Sequence, residues 1–99
     1  MKKAFNISTR AKEDLRGIWN YTFDAWGERQ ADKYLSNLYS RFKWLADSPE
    51  LGKNREDIKS GYYSFPEGSH VVFYKIDGAE INIIGIPHKT RDILNYWDT

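Results

Sequence analysis

Few side chains in this sequence could move a proton or hold a phosphate. His70 and His88 are its only histidines, and imidazole is the group that ordinarily ionises near neutral pH. His88 is followed by Lys89 and Arg91. Such a run could serve RNA cleavage through the 2′-hydroxyl, which needs a base, an acid for the leaving oxygen, and cations for the phosphate charge. Arg55 and Lys59 could add positive charge, and Glu56 could act as a base. Pro87 would carry the His88 run off the end of a strand. The plainer reading of a histidine after a strand is packing or hydrogen bonding. No catalytic residue is therefore expected, and His88, Lys89 and Arg91 form the alternative, nuclease set.

Other chemistries find less support. The two histidines stand eighteen positions apart and the chain has no Cys, so no metal ligand set is read and no cofactor is expected. Gly61, Gly68, Gly78 and Gly85 sit at turns or in a strand and do not build a phosphate loop. Without Cys there are no disulfides or thiolate sites, which fits a reducing compartment. Fifteen basic and 14 acidic side chains leave a net charge of +1, a poor match for gripping several backbone phosphates. Lys2, Lys3, Arg10, Lys12 and Arg16 face only Glu13 and Asp14 in the first 16 residues. They could offer a modest patch to an anionic partner, or simply a solvated strand end and helix face. The opening MKKAFNISTR has no apolar run behind its lysines and does not read as a signal peptide. No stretch approaches the roughly 20 apolar residues of a membrane span. A cytoplasmic protein, with no membrane partner and no sequence-specific nucleic-acid binding, is expected.

The elements that must position these groups fit one domain over residues 1–99. Forty per cent of the chain is hydrophobic and 16% aromatic, enough for one core without staples. Residues 3–7 read as a strand with Phe5 and Ile7 on one face. Ser8 and Thr9 are candidate N-caps for a helix over 9–26. Ala11, Leu15, Ile18, Trp19, Thr22 and Trp26 recur at three- and four-residue intervals and form its apolar stripe. Gly27 ends it. A second helix over 28–47 carries Ala31, Tyr34, Leu35, Leu38, Phe42, Leu45 and Ala46 on one face, and Ser48-Pro49 stops it. The two should form a helical hairpin.

After residue 50 the pattern changes from helical to alternating. Residues 51–57 read as a polar connector, and 62–86 as a three-stranded antiparallel meander. Its turns are Pro66-Glu67-Gly68-Ser69 and Asp77-Gly78, the latter suited to positive φ at both positions. The first strand should pair with the meander, since alone it has nowhere to place its hydrogen bonds. Residues 88–99 form an exposed tail with a short helix at Arg91 to Trp97. The expected architecture is α+β, in the order β-α-α-β-β-β, with an N-terminal helical hairpin packed on a small antiparallel sheet.

That order, with particular residues along it, resembles the RelE/ParE toxin superfamily and its ParE branch. Ser8-Thr9 with Ala11, Asp14-Leu15 and Ile18 is similar to the branch's opening pattern. Trp26-Gly27 and Ala31 match the joint between the helices, Pro49 with Leu51-Gly52 the segment after them, and Ile58, Gly61 and Tyr62 the next turn. Ser69-His70-Val71-Val72-Phe73-Tyr74 resembles the middle strand. Ile83, Ile84, Ile86 and His88 resemble the last strand, and Arg91-Asp92 the pair that follows. One position departs. The family usually carries an Arg three residues before the His, where this chain has Gly85, and Pro87 replaces a leucine. In the ribonuclease relatives that arginine helps handle phosphate, so its absence argues against nuclease chemistry here.

The resemblance implies the toxin of a type II toxin–antitoxin pair, an inhibitor of DNA gyrase neutralised by a ParD-like antitoxin. The alternative is a RelE-like, ribosome-dependent mRNA endoribonuclease; a degenerate toxin that binds its antitoxin but poisons nothing is a third reading. Trp and Tyr are common interface anchors, and the antitoxin is expected to meet Trp19, Tyr39, Trp44 and Tyr74. It would lay a helix over the helical hairpin and an extended piece along the sheet edge. Gyrase is expected to meet the tail, at Arg91, Tyr96 and Trp97.

Overall fold

The computed structural model describes residues 4–98. Lys2, Lys3 and Thr99, at the ends of the expected basic patch, first strand and tail, lie outside them. The chain forms β1 (Ala4–Ile7), α1 (Thr9–Trp26), α2 (Glu28–Asp47), a 3-10 turn at Pro49–Leu51, and β2 (Lys53–Asn54). There follow β3 (Tyr63–Glu67), β4 (His70–Asp77), β5 (Glu80–Gly85) and α3 (Ile93–Asp98).

The helical hairpin is delimited by local chemistry. Ser8 is extended, and its hydroxyl accepts from Ala11 N–H at 3.1 Å, the arrangement of an N-cap. Gly27, at a φ of 95°, donates its N–H to Phe23 O and accepts from Ala31 N–H, closing α1 and opening α2 with one residue. Ser48, ahead of Pro49, leaves the helical region at φ −141° and ψ 69°.

One face of the hairpin lies on the sheet. Ala11, Leu15 and Ile18 of α1, with Leu38, Phe42, Leu45 and Ala46 of α2, meet Val72, Tyr74, Ile81, Ile83 and Ile86 in one core. Each large aliphatic or aromatic side chain taken out of water there contributes about 1.5–3 kcal/mol. Burial in α1 ends at Thr22. Trp26, placed by its spacing in the buried stripe, is instead 74% exposed, because the stripe runs on past the part of the helix that the sheet covers.

The sheet departs from the expected one in four ways. Among the described residues it has five strands in the order β1-β5-β4-β3-β2, and it is mixed rather than antiparallel. β1 pairs parallel to β5, Phe5 opposite Ile81 and Ile7 opposite Ile83. A parallel pair needs a long crossover, which the helical hairpin supplies. Ser8 extends the contact, donating its N–H to Ile83 O and its hydroxyl to Ile84 O. Second, the polar connector contains β2, which pairs with Tyr63 and Ser64. Third, Pro66 does not end β3, because β2 stops short of it and leaves its outer side an edge, where a missing N–H costs no ladder bond. The β4–β5 turn also sits one residue on: Asp77 pairs with Glu80, and Gly78 alone takes positive φ, at 62°.

Candidate functional site

A cleft of about 890 Å³ opens between the outer face of α1, the start of α2 and one end of the sheet. His70 and His88 meet at its floor. His70 opens β4 and His88 follows β5, and an antiparallel bridge sets them opposite each other. Val71 N–H to Pro87 O and Lys89 N–H to Ser69 O, at 2.9 and 2.8 Å, hold the two segments together. The rings meet edge to face with centroids 5.2 Å apart.

The hydrogen bonds assign both tautomers. Nδ1 of His88 accepts from Thr90 N–H at 3.2 Å and lies 2.8 Å from the Thr90 hydroxyl. A backbone N–H can only donate, so the proton of neutral His88 sits on Nε2. The Tyr34 hydroxyl accepts from Ser69 N–H at 2.8 Å and has two possible acceptors, His70 Nδ1 at 2.7 Å and Glu67 O at 3.4 Å. The shorter contact takes the proton, which places that of His70 on Nε2 as well. Burial, and then the nearby charge of His88, push the His70 imidazole down to about 4 against an opposing pull from Asp14, so His70 is neutral at pH 7. Burial also raises the Tyr34 phenol and keeps it a donor.

One side of the cleft is closed by the C-terminal helix. Asp14 Oδ2 accepts from Ile86 N–H at 2.8 Å and from the Tyr96 hydroxyl. The Arg10 guanidinium donates to Tyr96 O and lies 4.0 Å over the Tyr96 ring. Burial, with the bond to Asp14, raises the Tyr96 phenol. Beyond it Trp97 packs edge-on against Phe73 and Tyr62 at 5.4 and 5.1 Å, on the sheet face opposite the hairpin. Gly85 makes this possible, since a Cβ there would lie 2.9 Å from the Trp97 ring and would also strike the Tyr96 hydroxyl.

These placements revise several sequence expectations. The tail is docked, not exposed. Tyr96 is only 3% exposed and Trp97 is half-buried, because the Arg10–Asp14–Tyr96 cluster draws α3 onto the fold. Arg91 remains exposed. Tyr74 is fully buried, its hydroxyl donating to Pro49 O at 2.6 Å and its phenol pushed up to about 12, so it presents no surface to a partner. The other three proposed antitoxin residues reach the surface. Trp19 stacks on Phe23 and donates to Asp32 across the hairpin. Tyr39 and Trp44 are 40% and 39% exposed, and Arg41 lies 4.5 Å over the Trp44 ring while paired with Glu67.

Of the nuclease set, His88 and Arg91 line the cleft and Lys89 does not. Arg55 is away from it, paired with Asp57 and lying over Phe73, while Glu56 accepts from Gly61 N–H in its own loop. Asp57 is held below the usual carboxylate range by Arg55. Sequence reasoning missed Tyr34 as a site residue, along with the exposed Trp26 on the cleft's other wall. Their helical spacing alone marked Tyr34 and Trp26 as core. Among the described residues no group of three or more His, Cys, Asp or Glu could hold a metal, and no helix is long and apolar enough to cross a membrane.

Comparison with known proteins agrees with this architecture. Residues 5–93 match the family described as "ParE toxin of type II toxin-antitoxin system, parDE". The chain is 38% identical over 90 residues to Toxin ParE1 of Caulobacter vibrioides, covering 91% of this chain and 93% of that one. It is 32% identical over 94 residues to Toxin ParE1 of Mycobacterium tuberculosis, covering 94% and 96%. A solved chain of the chromosomal ParDE system from P. aeruginosa superposes with a TM-score of 0.73 at 20% identity, over 89% of this chain and 96% of that one. With nearly its whole length matched, the chain belongs to the ParE toxin family of type II toxin–antitoxin systems.

Proposed function

We propose that this toxin acts by binding DNA gyrase in the cytoplasm, and that a ParD-like antitoxin silences it. Family membership supports the reading. The observation that carries it is the outward aromatic surface of the helical hairpin, where Tyr21 and Trp26 are 73% and 74% exposed and Trp19, Phe23, Tyr39 and Trp44 lie partly open. Large aromatics left in water at this density mark a protein-binding surface. The antitoxin lies over Trp19, Tyr39 and Trp44 and adds an extended piece along a sheet edge, β1 and β2 being the two edges. Gyrase meets Arg91 and the open side of Trp97, beside the exposed Leu94. Immobilised toxin should capture purified gyrase at micromolar concentration; no capture at that concentration would sink the target assignment.

A second reading, ribosome-dependent mRNA cleavage, is favoured by the contact of His70 with His88 beside Arg91. Against it stand a neutral His70, carboxylates of Glu13 and Asp14 on the same cleft, and the missing strand arginine at Gly85. Ribosomes programmed with mRNA and incubated with the toxin should leave the message intact. Scission that disappears in the His88→Ala variant would establish the nuclease reading instead.

A further inference from the structure

We propose that the His70–His88 cleft is a docking site for an acidic side chain carried on an amphipathic segment of the antitoxin; this rests on the antitoxin reading above. The polar end of the cleft is built to donate. Both imidazoles have Nδ1 filled as an acceptor, by Tyr34 in one case and Thr90 in the other, so each presents Nε2–H. No hydrogen bond among the described residues engages either Nε2. Arg91, on the same wall, forms no ion pair among them. Two fixed N–H donors on a cleft that a guanidinium also lines suit one carboxylate, whose two oxygens can take several such bonds.

The other end of the cleft is apolar, walled by Ile18, Tyr21 and Trp26. Tyr21 and Trp26 gain most from being covered, because they are the most exposed large aromatics of α1. A segment with an Asp or Glu at one end and aliphatic or aromatic side chains one or two turns away would satisfy both ends at once. RNA fits less well. It would bring many phosphates to one guanidinium, past Glu13 on the rim and Asp14 below it. A single bound carboxylate brings one negative charge, which Arg91 on the same cleft can offset against Glu13 and Asp14, where several phosphates would exceed it. The acidic lining thus sorts a lone carboxylate from a polyanion.

The test uses the full chain, its purified antitoxin, and synthetic peptides tiling that antitoxin. Hydrogen exchange on the toxin–antitoxin complex comes first; a complex must form, and its absence would overturn the antitoxin reading itself. Given a complex, one peptide should bind the toxin and perturb the His88 and Trp26 signals in NMR spectra. Changing its acidic residue to the amide should weaken binding about tenfold, as should Arg91→Ala or Trp26→Ala in the toxin, while Lys33→Ala should leave it within about twofold. Circular dichroism on each variant separates lost binding from lost fold. A complex that forms with these variants at unchanged affinity would overturn the proposal. So would displacement of the peptide by a ribo-oligonucleotide that binds more tightly at the same signals.

Discussion

Asp14 of α1 accepts a hydrogen bond from Tyr96 of α3, tying together two residues 82 positions apart. Asp14 also takes Ile86 N–H from the end of β5, so a single carboxylate joins the first helix, the last strand and the last helix. Arg10 lies one helical turn before Asp14 and holds Tyr96 from above. The helix α3 spans only Ile93–Asp98, too short to be stable alone, and this cluster accounts for its folding where it does.

Removing the hydroxyl at that junction should loosen the C-terminus measurably. Tyr96→Phe is expected to cost about 1–2 kcal/mol, because it leaves a part-buried carboxylate short of a donor. Urea unfolding should show a lower midpoint at an unchanged slope. Deleting residues 95–99 should cost more and reduce stability and toxicity together; loss of toxicity with full stability would mean that the tail is a separable gyrase-binding element.

The glycine where the family usually carries arginine supports the same junction. Gly85→Arg should expel Tyr96 and Trp97 from the sheet face, at a cost of about 2–3 kcal/mol from overpacking and lost aromatic burial. The near-ultraviolet dichroism of Trp97 should collapse, and proteolysis should begin after Arg91. Unchanged tryptophan signals would show that α3 can accommodate a side chain at 85.

The depressed imidazole of His70 gives stability a pH dependence. Its folded value, about 4, lies below the ordinary 6.5, so the unfolded chain takes up a proton at a pH where the folded chain does not. The stabilisation is full above about pH 6.5 and is lost as pH falls towards 4, by roughly 1 kcal/mol after allowance for solvent at the ring's open edge. Melting temperatures of the protein and of His70→Gln should therefore diverge at pH 7 and draw together near pH 4.5. A constant difference across that range would contradict this account of His70.

Tyr74 and Trp44 separate core from surface. Tyr74→Phe should cost about 1 kcal/mol through the bond to Pro49 O and leave antitoxin affinity unchanged in the folded protein. Trp44→Ala should instead weaken antitoxin binding by at least tenfold, while costing less stability than a fully buried aromatic would. Calorimetric titration of both variants with antitoxin checks the pair; equal affinities would remove Trp44 from the interface.

The helical hairpin and the meander were legible because each rests on local signals: the Ser8 cap, the Gly27 joint, the Ser48-Pro49 stop and the alternation in residues 70–86. What was illegible depends on long-range pairing. Nothing in Ala4–Ile7 says that β1 runs parallel to β5, since the direction is decided by where the hairpin returns the chain. Strand β2 is two polar residues whose only claim to be a strand is their partners in β3. The tail looked exposed because Tyr96 and Trp97 follow no periodic pattern; their burial comes from Arg10 and Asp14, which read as helix-surface charges. The cleft was half legible. Both histidines were visible as candidates, but the bridge that brings them together and the Tyr34 hydroxyl that orients one of them belong to the tertiary structure.

We propose that this ParE-family toxin acts on gyrase without itself cleaving a nucleic acid. Purified toxin, gyrase, relaxed plasmid and ATP test it most directly, with supercoiled and linear DNA scored on a gel. Loss of supercoiling together with linear DNA that appears only when gyrase is present is the predicted result, reversed by antitoxin. Undiminished supercoiling at micromolar toxin, or DNA cleaved by the toxin alone, would contradict the account.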